Sequence, residues 1–414
     1  MTKNNKKILS IFLIILLILC CLVNFGNVAN ANTQDSKNIS TPVQKHGRLK
    51  LSGTNIIDKN GDKFQLRGIS THGIAWFPQY INQEAFNYMR DEWKINAVRL
   101  AMYSDPSAGY DKSIHEKVKQ GVKFAKDAGL YVIIDWHILS DGNPNIYKDS
   151  AIEFFREMAN SYKNDENIIY EICNEPNGDV QWERDIKPYA LEVIKEIRNI
   201  DKNAIIVVGT PTWSQDVDIV AQNPIQGYEN IMYSLHFYAA THKDYLRQKA
   251  QKALNSGLPI FVTEYGICDA SGNGNIDEQE ANVWIQFLDD NNISWMCWNL
   301  SNKNESSAIL GNTGKITDWT EEELSQCGKW LTSKLKSYPE EVVVKIKKEN
   351  NIENNVENTT EKEEKSNEII ENNNVDLNNE EHNSNIIIVI SITISFIFGL
   401  IIGSVLTIIV KSKK

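Results

Sequence analysis

The chain has 414 residues and a formal net charge of −11 at pH 7, with 54 acidic against 43 basic side chains. An acidic protein repels the phosphates of nucleic acids and of anionic lipids, so the charge argues against both as partners and is compatible with a neutral polysaccharide. The length and the uneven composition indicate one large domain flanked by segments of other kinds.

Residues 1–31 have the features of a secretory signal peptide. Lysines at positions 3, 6 and 7 precede an apolar run over residues 8–23, and Ala29-Asn30-Ala31 supplies a small-x-small cleavage site. A retained N-terminal anchor is the alternative interpretation. Residues 32–45 are predicted to link this segment to the folded domain.

Residues 46–339 are predicted to form one α/β domain. It begins with a strand-turn-strand segment that has Asn60-Gly61 at its turn. After it, eight short apolar runs alternate with amphipathic stretches such as 113–128, 182–199 and 278–290. Apolar strands separated by helices indicate a parallel sheet buried on both faces, and eight such units favour a (β/α)8 TIM barrel over an open doubly wound sheet. The predicted strands are 64–69, 97–101, 131–135, 168–173, 204–208, 231–235, 259–263 and 293–298.

Polar and aromatic residues cluster at the C-terminal ends of these predicted strands. In a barrel those ends meet at one face, where active sites are built. Ordinary loop entry would explain any one of these residues, but it explains their convergence badly. The residues are His72, Arg99, His137, Asn174, Glu175, His236, Tyr238, Glu264 and Trp298.

Two glutamates on different strands facing one cleft suit glycosidic bond cleavage. One carboxylic acid protonates the leaving oxygen, and the other carboxylate attacks or stabilises the sugar cation. Their pKa values must differ for both roles to operate at one pH, and an arginine beside one of them keeps that one ionised. Aromatic side chains such as Trp76, Trp213 and Trp298 offer flat faces to pyranose rings.

These residues lie in motifs that resemble glycoside hydrolase family 5, most closely its bacterial endo-β-1,4-glucanases, over roughly residues 47–335. The motifs include "LRGISTHGIAWF", "INAVRLAMY", "VIIDWHIL", "IYEICNEPNG", "SLHFYAATH", "FVTEYGICDASGNG" and "ISWMCWNLSNKNESSAIL". Asn-Glu-Pro alone is a weak signal, whereas this set of motifs in the order of the family is specific. The resemblance implies a (β/α)8 barrel and a mechanism that retains the anomeric configuration.

The resemblance also implies roles for individual residues. Glu175 would be the general acid/base and Glu264 the nucleophile. Asn174 would bind the 2-hydroxyl of the reacting sugar, Arg99 and Tyr238 would hold Glu264, and His236 would contact Glu175. The other implied sugar contacts are His72, Tyr103, His137 and Trp298 at the reacting sugar, Trp76, Lys303 and Glu305 at the next glucose on the non-reducing side, and Trp213 on the leaving-group side.

Metal and cysteine chemistry receive little support from the sequence. Residues 269–280 match the spacing of a calcium loop, but they follow a strand rather than a helix, and an ordinary turn is the favoured interpretation. Catalysis is predicted to need no metal or other cofactor. Cys173, Cys268, Cys297 and Cys327 are interpreted as buried thiols, although export would permit a disulfide. His242 is interpreted as an incidental loop residue.

The C-terminal region differs from the domain in composition. Residues 340–385 contain 13 acidic residues, 5 basic residues and 13 asparagines, so we expect a disordered spacer. Residues 386–410 carry no charge and are long enough to span a bilayer, and residues 411–414 form a basic tail that should stay in the cytoplasm. The sequence therefore predicts an exported protein on the outer face of the cell membrane, anchored by a C-terminal transmembrane helix.

The sequence-based prediction is a monomeric, retaining endo-β-1,4-glucanase that acts on cellulose or a related β-glucan. Within the same class, a β-mannanase, a xyloglucanase or a mixed-linkage β-glucanase remains open. A surface protein that binds polysaccharide without cutting it is the alternative from another class. The intact glutamate pair argues against that alternative, because a binding module has no use for two carboxylates at one sugar.

Overall fold

The computed structural model describes residues 40–339. The predicted signal peptide, spacer, transmembrane helix and basic tail lie outside these residues, as does most of the predicted linker. Within the described range, no helix combines the length and the apolar character that crossing a bilayer requires. The end of the predicted linker is helical: helix α1 (Pro42–His46) begins at Thr41, whose side chain accepts a hydrogen bond from Gln44 N–H.

The described residues form a closed barrel of eight parallel strands, preceded by a two-stranded antiparallel ladder. The ladder consists of β1 (Lys50–Ser52) and β2 (Asn55–Ile57). The barrel strands are β3 (Arg67–Thr71), β4 (Ala97–Tyr103), β5 (Tyr131–His137), β6 (Ile168–Glu171), β7 (Ile205–Val208), β8 (Ile231–Tyr238), β9 (Ile260–Gly266) and β10 (Trp295–Leu300). Strand β10 pairs with both β9 and β3 and so closes the ring. The predicted (β/α)8 barrel is confirmed.

Helices follow the barrel strands and cover the outside of the sheet. They are α2 (Gln83–Glu92), α3 (Ile114–Asp127), α4 (Lys148–Tyr162), α5 (Lys187–Ile200), α6 (Val217–Val220), α7 (Asp244–Asn255), α8 (Glu278–Asp290) and α9 (Gln326–Ser337). A π-helical turn, Trp182–Ile186, leads into α5. Short 3-10 helices occur at Pro78–Tyr80, Pro106–Ala108 and Glu321–Glu323. The helices bury apolar residues such as Val118, Phe154 and Trp284 against the strands.

The alternation of side chains along each strand divides the core in two. In β5, Val132 and Ile134 face the helices, whereas Tyr131 and Ile133 belong to a separate apolar cluster inside the barrel. The interior cluster occupies the N-terminal end of the barrel. It consists of Leu49, Ile56, Phe64, Leu66, Ala97, Tyr131, Ile133, Ile169, Ile205, Val207, Met232, Phe261 and Met296.

The ladder β1–β2 and the segment after it close the base of the barrel. Leu49, Ile56 and Phe64 pack into the interior cluster. Residues 53–54 join β1 to β2, as the pairing of Ser52 with Asn55 shows. The predicted turn at Asn60-Gly61 follows β2, where Ile57 and Lys63 form an antiparallel bridge around it. Asn60-Gly61 forms the next turn, which the Asp58 carboxylate stabilises by accepting hydrogen bonds from the backbone N–H groups of residues 60 and 62.

Candidate active site

The inward-facing positions of the barrel change from apolar to polar along most strands, although those of β7, Ile205 and Val207, are both apolar. In β5 the inward series runs from Tyr131 and Ile133 to Asp135 and His137, and in β6 it runs from Ile169 to Glu171. Because the strands are parallel, their polar ends meet at the same mouth of the barrel. The fold therefore concentrates buried charge at the C-terminal end and apolar packing at the base.

A cleft of about 570 Å³ opens at this mouth. Arg99 and Asn174 are completely buried beneath it, and Trp76 lies at its edge, 49% exposed. The predicted site residues that line the cleft are His72, Tyr103, His137, Glu175, Trp213, His236, Tyr238, Glu264, Trp298, Lys303 and Glu305. The structure thus brings all fourteen predicted residues to one region.

Glu175 and Glu264 face each other across the floor of the cleft. Glu175 follows β6 and Glu264 lies in β9, where it is in register with His236 of β8. A carboxylate oxygen of Glu175, one of Glu264 and a ring nitrogen of His236 all lie within 4.8 Å of one another. Glu175 Oε1 is 2.9 Å from His236 Nδ1. Glu264 accepts hydrogen bonds from Tyr238 Oη at 2.8 Å and from Arg99 Nη1 at 3.2 Å.

These surroundings decide which of the two carboxyl groups keeps a proton. Burial raises the pKa of Glu175 to about 8, Asp135 and Glu171 add to the rise, and Arg99 opposes it. Burial and the neighbouring Glu175 also raise the pKa of Glu264, against the opposing charge of Arg99. Since two donors point at the oxygens of Glu264, we assign the first ionisation of the pair to Glu264 and the retained proton to Glu175.

Arg99 is the centre of the buried charge. Its guanidinium donates to Glu171 through Nε at 2.7 Å and through Nη2 at 3.2 Å, and its Nη2 lies 2.9 Å from Asp135 Oδ2. Asp135 and Glu171 are fully buried and were not among the predicted site residues. One guanidinium therefore faces the three carboxyl groups of Asp135, Glu171 and Glu264. Because acidic groups outnumber the single positive charge, a further negative charge on the nearby Glu175 is disfavoured and its protonated form is favoured.

The histidines of the cleft are neutral. Burial lowers the pKa of His137 to about 3 and those of His72 and His236 to about 4. His137 Nδ1 is 2.7 Å from Asp135 Oδ2, so it carries the ring proton and donates it to the carboxylate. His137 Nε2 then accepts from Asn174 Nδ2 at 3.3 Å.

The amide of Asn174 is hydrogen-bonded on both sides in this structure. Its Oδ1 accepts from Arg99 Nη2 at 2.6 Å, and its Nδ2 donates to the Ile138 carbonyl at 3.0 Å as well as to His137. The implied contact with a substrate hydroxyl would replace the longer His137 bond. Beneath the cleft, Asn174 is hydrogen-bonded to both Arg99 and His137 and so holds these two side chains in place.

Aromatic rings form the walls of the cleft. Trp298 stacks on His137 with ring centroids 5.2 Å apart and an interplanar angle of 14°. Trp76 stacks on Tyr103 with centroids 5.3 Å apart, also at 14°. Both pairs are therefore held as flat surfaces, the shape that packs against a pyranose ring. The peptide bond between Trp298 and Asn299 is cis.

Trp213 projects from a strained turn, Pro211–Ser214. Thr212, Trp213 and Ser214 all have left-handed φ values, between 54° and 58°, which residues other than glycine rarely adopt. Trp213 N–H donates to the Pro176 carbonyl at 3.0 Å, and Ser214 Oγ donates to the Asn174 carbonyl at 2.7 Å. These bonds fix the exposed indole to the same strand end that carries Glu175.

Lys303 and Glu305 lie on the loop after β10. Lys303 Nζ is 2.6 Å from Glu305 Oε2, and the amide of Asn299 donates to Glu305 Oε1 at 2.9 Å. Ser307 Oγ donates to the same oxygen at 3.0 Å. These donors leave Glu305 almost buried and fixed in place, whereas the Lys303 side chain is 44% exposed and reaches solvent.

Sequence reasoning missed several residues of the cleft. His242, interpreted as incidental, lines the cleft, and its Nδ1 accepts a hydrogen bond from Tyr238 N–H at 2.8 Å. Its presence in the motif "SLHFYAATH" was the available signal. The other unpredicted lining residues are Leu139, Gln215, Ala270, Ser271, Gly272 and Ser307. Most of them lie in the quoted motifs as well, but their side chains offer no acid, base or aromatic face that would have selected them.

The segment with calcium-loop spacing is stabilised by the protein itself. Asp277 accepts from Lys243 Nζ at 2.6 Å and from the N–H of Glu280 at the start of α8, and Glu280 pairs with Arg247. Asp269 accepts from the N–H and the hydroxyl of Ser271. These carboxylates already have partners, which supports the interpretation of this segment as an ordinary turn. The four cysteines within residues 40–339 are buried free thiols.

A second cavity, of about 670 Å³, lies at the opposite end of the barrel between the β1–β2 ladder and the starts of β8 and β9. Glu229 is the one carboxylate among the described residues that line it. Although this cavity is slightly larger than the cleft, it lacks a pair of carboxyl groups and does not suit acid–base chemistry at a sugar.

Paired carboxyl groups across the mouth of a (β/α)8 barrel, between aromatic walls, are the arrangement found in glycosidases. The sequence profile described as Cellulase (glycosyl hydrolase family 5) matches residues 57–304. The chain belongs to glycoside hydrolase family 5.

Individual relatives agree with this assignment. The chain is 50% identical to an endoglucanase of Clostridium saccharobutylicum over 68% of its own length and 63% of that protein. It is 46% identical to endoglucanase 5 of Pectobacterium carotovorum subsp. carotovorum over 72% of its own length and 59% of that protein. The chain thus spans about six tenths of the length of these two relatives.

The fold is also similar to solved structures. One is the catalytic domain of Thermobifida fusca endoglucanase Cel5A in complex with cellotetraose, with a TM-score of 0.67 and 37% identity. That match covers 72% of this chain and 100% of the solved one.

Proposed function

We propose that this protein is a retaining endo-β-1,4-glucanase that hydrolyses internal bonds of cellulose or a related β-glucan. The observation that carries the proposal is the pair of Glu175 and Glu264, which have carboxylate oxygens within 4.8 Å of each other. Glu264 accepts hydrogen bonds from Tyr238 and Arg99, whereas Glu175 contacts the His236 ring. Retaining glycosidases hold their carboxyl groups about 5–5.5 Å apart, whereas inverting enzymes leave room for a water molecule at about 6.5–9.5 Å. Relatives named endoglucanases support the substrate class.

The reaction proceeds in two displacements. Glu264, ionised beside Arg99 and Tyr238, attacks the anomeric carbon while Glu175 gives its proton to the glycosidic oxygen, so the leaving chain departs as an alcohol. Glu175 then takes a proton from water, the water oxygen attacks the anomeric carbon, and the Glu264 ester bond breaks. The product regains the original anomeric configuration and Glu175 regains its proton.

The cleft walls support the following arrangement of the bound sugars. The reacting sugar would lie on Trp298 near His72, Tyr103 and His137, with its 2-hydroxyl toward Asn174. The next glucose on the non-reducing side would contact Trp76, Lys303 and Glu305, and Trp213 would support the leaving-group side. Lys303 and Glu305 support glucose as the sugar at this position.

The deciding experiment compares reducing-sugar release from carboxymethylcellulose, mannan, xylan, xyloglucan and mixed-linkage β-glucan. We expect the greatest release from carboxymethylcellulose or mixed-linkage glucan, β-anomers as the first product in proton NMR, and no turnover by Glu264→Gln. Glu321→Gln, which changes an exposed glutamate outside the cleft, is the matched control and should behave as wild type. Greater activity on mannan would refute the glucanase assignment, and α-anomers as first product would refute retention.

We also propose that the protein acts as a monomer at the outer face of the cell membrane. The proposal rests on the sequence of residues 1–31 and 386–410, which lie outside the described residues. Protease treatment of intact cells should release an active fragment, and deletion of residues 386–414 should move activity to the medium. Activity that stays in the cytoplasmic fraction would refute this location.

A further inference from the structure

A chain of hydrogen bonds runs from Glu175 away from the cleft into the barrel. His236 Nδ1 is 2.9 Å from Glu175 Oε1, and His236 Nε2 is 2.8 Å from Thr263 Oγ1. Thr263 Oγ1 is in turn 2.7 Å from Glu171 Oε1. All four side chains are buried, and Thr263 and Glu171 are completely so. Thr263, which directly precedes Glu264, was not among the predicted site residues.

The direction of these hydrogen bonds follows from Glu171. Its two oxygens receive donors from Arg99 Nε and Nη2, so it is a carboxylate that only accepts. Thr263 has a single hydroxyl proton, and its shortest contact is with this carboxylate. It therefore donates to Glu171 and presents a lone pair to His236 Nε2. The hydroxyl of Ser234, 3.0 Å from Thr263 and 3.3 Å from Glu171 Oε1, is a further donor at the same place.

A neutral imidazole carries one ring proton. The lone pair of Thr263 draws that proton to Nε2, and Nδ1 is left with a lone pair aimed at Glu175 Oε1. A protonated Glu175 donates to this lone pair, whereas an ionised Glu175 is repelled by it. We infer that Thr263 is a positioning residue that fixes the Nε2–H tautomer of His236 and thereby keeps the catalytic proton on Glu175.

The inference rests on the proposed function and explains how one residue serves both displacements. In the first, Glu175 loses its proton to the glycosidic oxygen and then faces an unprotonated Nδ1 without a hydrogen bond. In the second, protonation by the attacking water restores that bond. The proton of His236 stays on Nε2 throughout, so the imidazole strengthens Glu175 as a base without exchanging a proton with it.

Other charged and titratable groups face this pair. They are Arg99 from β4, Tyr103 at the end of β4, Asp135 and His137 from β5, Glu171 from β6, Tyr238 from β8 and Glu264 from β9. Thr263→Val also removes one hydrogen-bond donor from Glu171, whereas Thr263→Ser keeps that donor.

The test compares Thr263→Val with Thr263→Ser in the full chain. Valine has nearly the shape of threonine but offers Nε2–H no acceptor, so the ring proton moves to Nδ1 and donates to an ionised Glu175. The basic limb of the pH profile of kcat/KM on carboxymethylcellulose should shift to lower pH by about one unit in the valine variant. Serine keeps the hydroxyl and should keep the wild-type limb.

A substrate that needs no acid separates positioning from general damage. With 2,4-dinitrophenyl β-cellobioside the leaving group departs unprotonated, and kcat/KM reports the first displacement only. The kcat/KM of Thr263→Val on this substrate should therefore match wild type at pH 7 within about twofold, while its kcat/KM on carboxymethylcellulose falls several-fold. The inference would be overturned if the pH profile of kcat/KM for Thr263→Val superimposed on that of wild type, or if Thr263→Ser showed the same shift as Thr263→Val. Wild type that cleaves none of the glucans would instead overturn the proposed function.

A direct measurement covers the case in which Thr263→Val does not fold. Nitrogen-15 NMR of wild type labelled at its seven histidines, with His236 assigned by His236→Gln, distinguishes the two tautomers. The Nε2–H form at pH 6–7 is the expected result. An Nδ1–H form, or a doubly protonated ring, would contradict the inference whatever the variants do.

Discussion

Glu175→Gln should stabilise the protein while it removes activity. The folded protein holds the Glu175 proton up to about pH 8, whereas an unfolded chain releases it near the ordinary value of 4.5. Between these values the folded state binds more protons than the unfolded state, so the free energy of unfolding of wild type falls as pH rises. Glutamine carries no proton to lose and is free of this penalty.

The magnitude follows from one proton per molecule. The difference in unfolding free energy between Glu175→Gln and wild type should grow by about 1.4 kcal/mol per pH unit from about pH 5 to pH 8, to a total on the order of 4 kcal/mol, and then level off. The assay is urea unfolding followed by tryptophan fluorescence at pH 5, 6, 7, 8 and 9.

Glu171→Gln is the matched control, because it changes the other glutamate of the same strand end. Glu171 accepts two hydrogen bonds from the buried Arg99. Its amide variant should lose about 3–5 kcal/mol of stability across this pH range, because the guanidinium would lose its closest carboxylate. Unfolding curves for Glu175→Gln and wild type that stay parallel from pH 5 to pH 9 would refute the raised pKa of Glu175.

Three further outcomes are expected. Activity on carboxymethylcellulose should decline above about pH 8, as Glu175 ionises; a rate that stays constant to pH 10 would contradict this. Trp213→Ala should raise KM about threefold to tenfold through lost stacking, and Ile219→Ala, which removes another exposed apolar side chain, should not; equal effects would argue against a platform. EDTA should change neither the thermal midpoint nor activity, since Asp277 and Glu280 pair with basic side chains; a drop of several degrees would indicate a structural metal.

The strand ends could be predicted from the sequence because parallel strands leave a strong pattern. The apolar runs located all eight barrel strands, and the residues at their ends located Glu175, Glu264 and His236 in one cleft. The predicted strand boundaries were less accurate: His137, Tyr238 and Glu264 are among the last residues of their strands rather than beyond them. The turn at Asn60-Gly61 was predicted correctly, whereas the additional turn at residues 53–54, which the pairing of Ser52 with Asn55 defines, was not predicted.

The polar layer beneath the cleft could not be predicted in the same way. Asp135, Glu171 and Thr263 lie inside apolar strands, and apart from the contact between Asp135 and His137 their side-chain partners lie on other strands. Their contacts with Arg99 and His236 join residues of different strands, and sequence spacing carries no information about such contacts. His242 was overlooked for a related reason, since its function as a lining residue depends on how the loop after β8 returns to the cleft.

The seam between β10 and β3 has a consequence for how the molecule is made. Leu66 and Ser294, which are hydrogen-bonded across this seam, are 228 positions apart in the chain. Almost the whole domain must therefore be synthesised before the first and last barrel strands, β3 and β10, can pair. High contact order of this kind slows folding. Until then β3 and β9 are unpaired edges that invite association with other chains. A truncation before β10 should consequently yield aggregated protein rather than a smaller working enzyme.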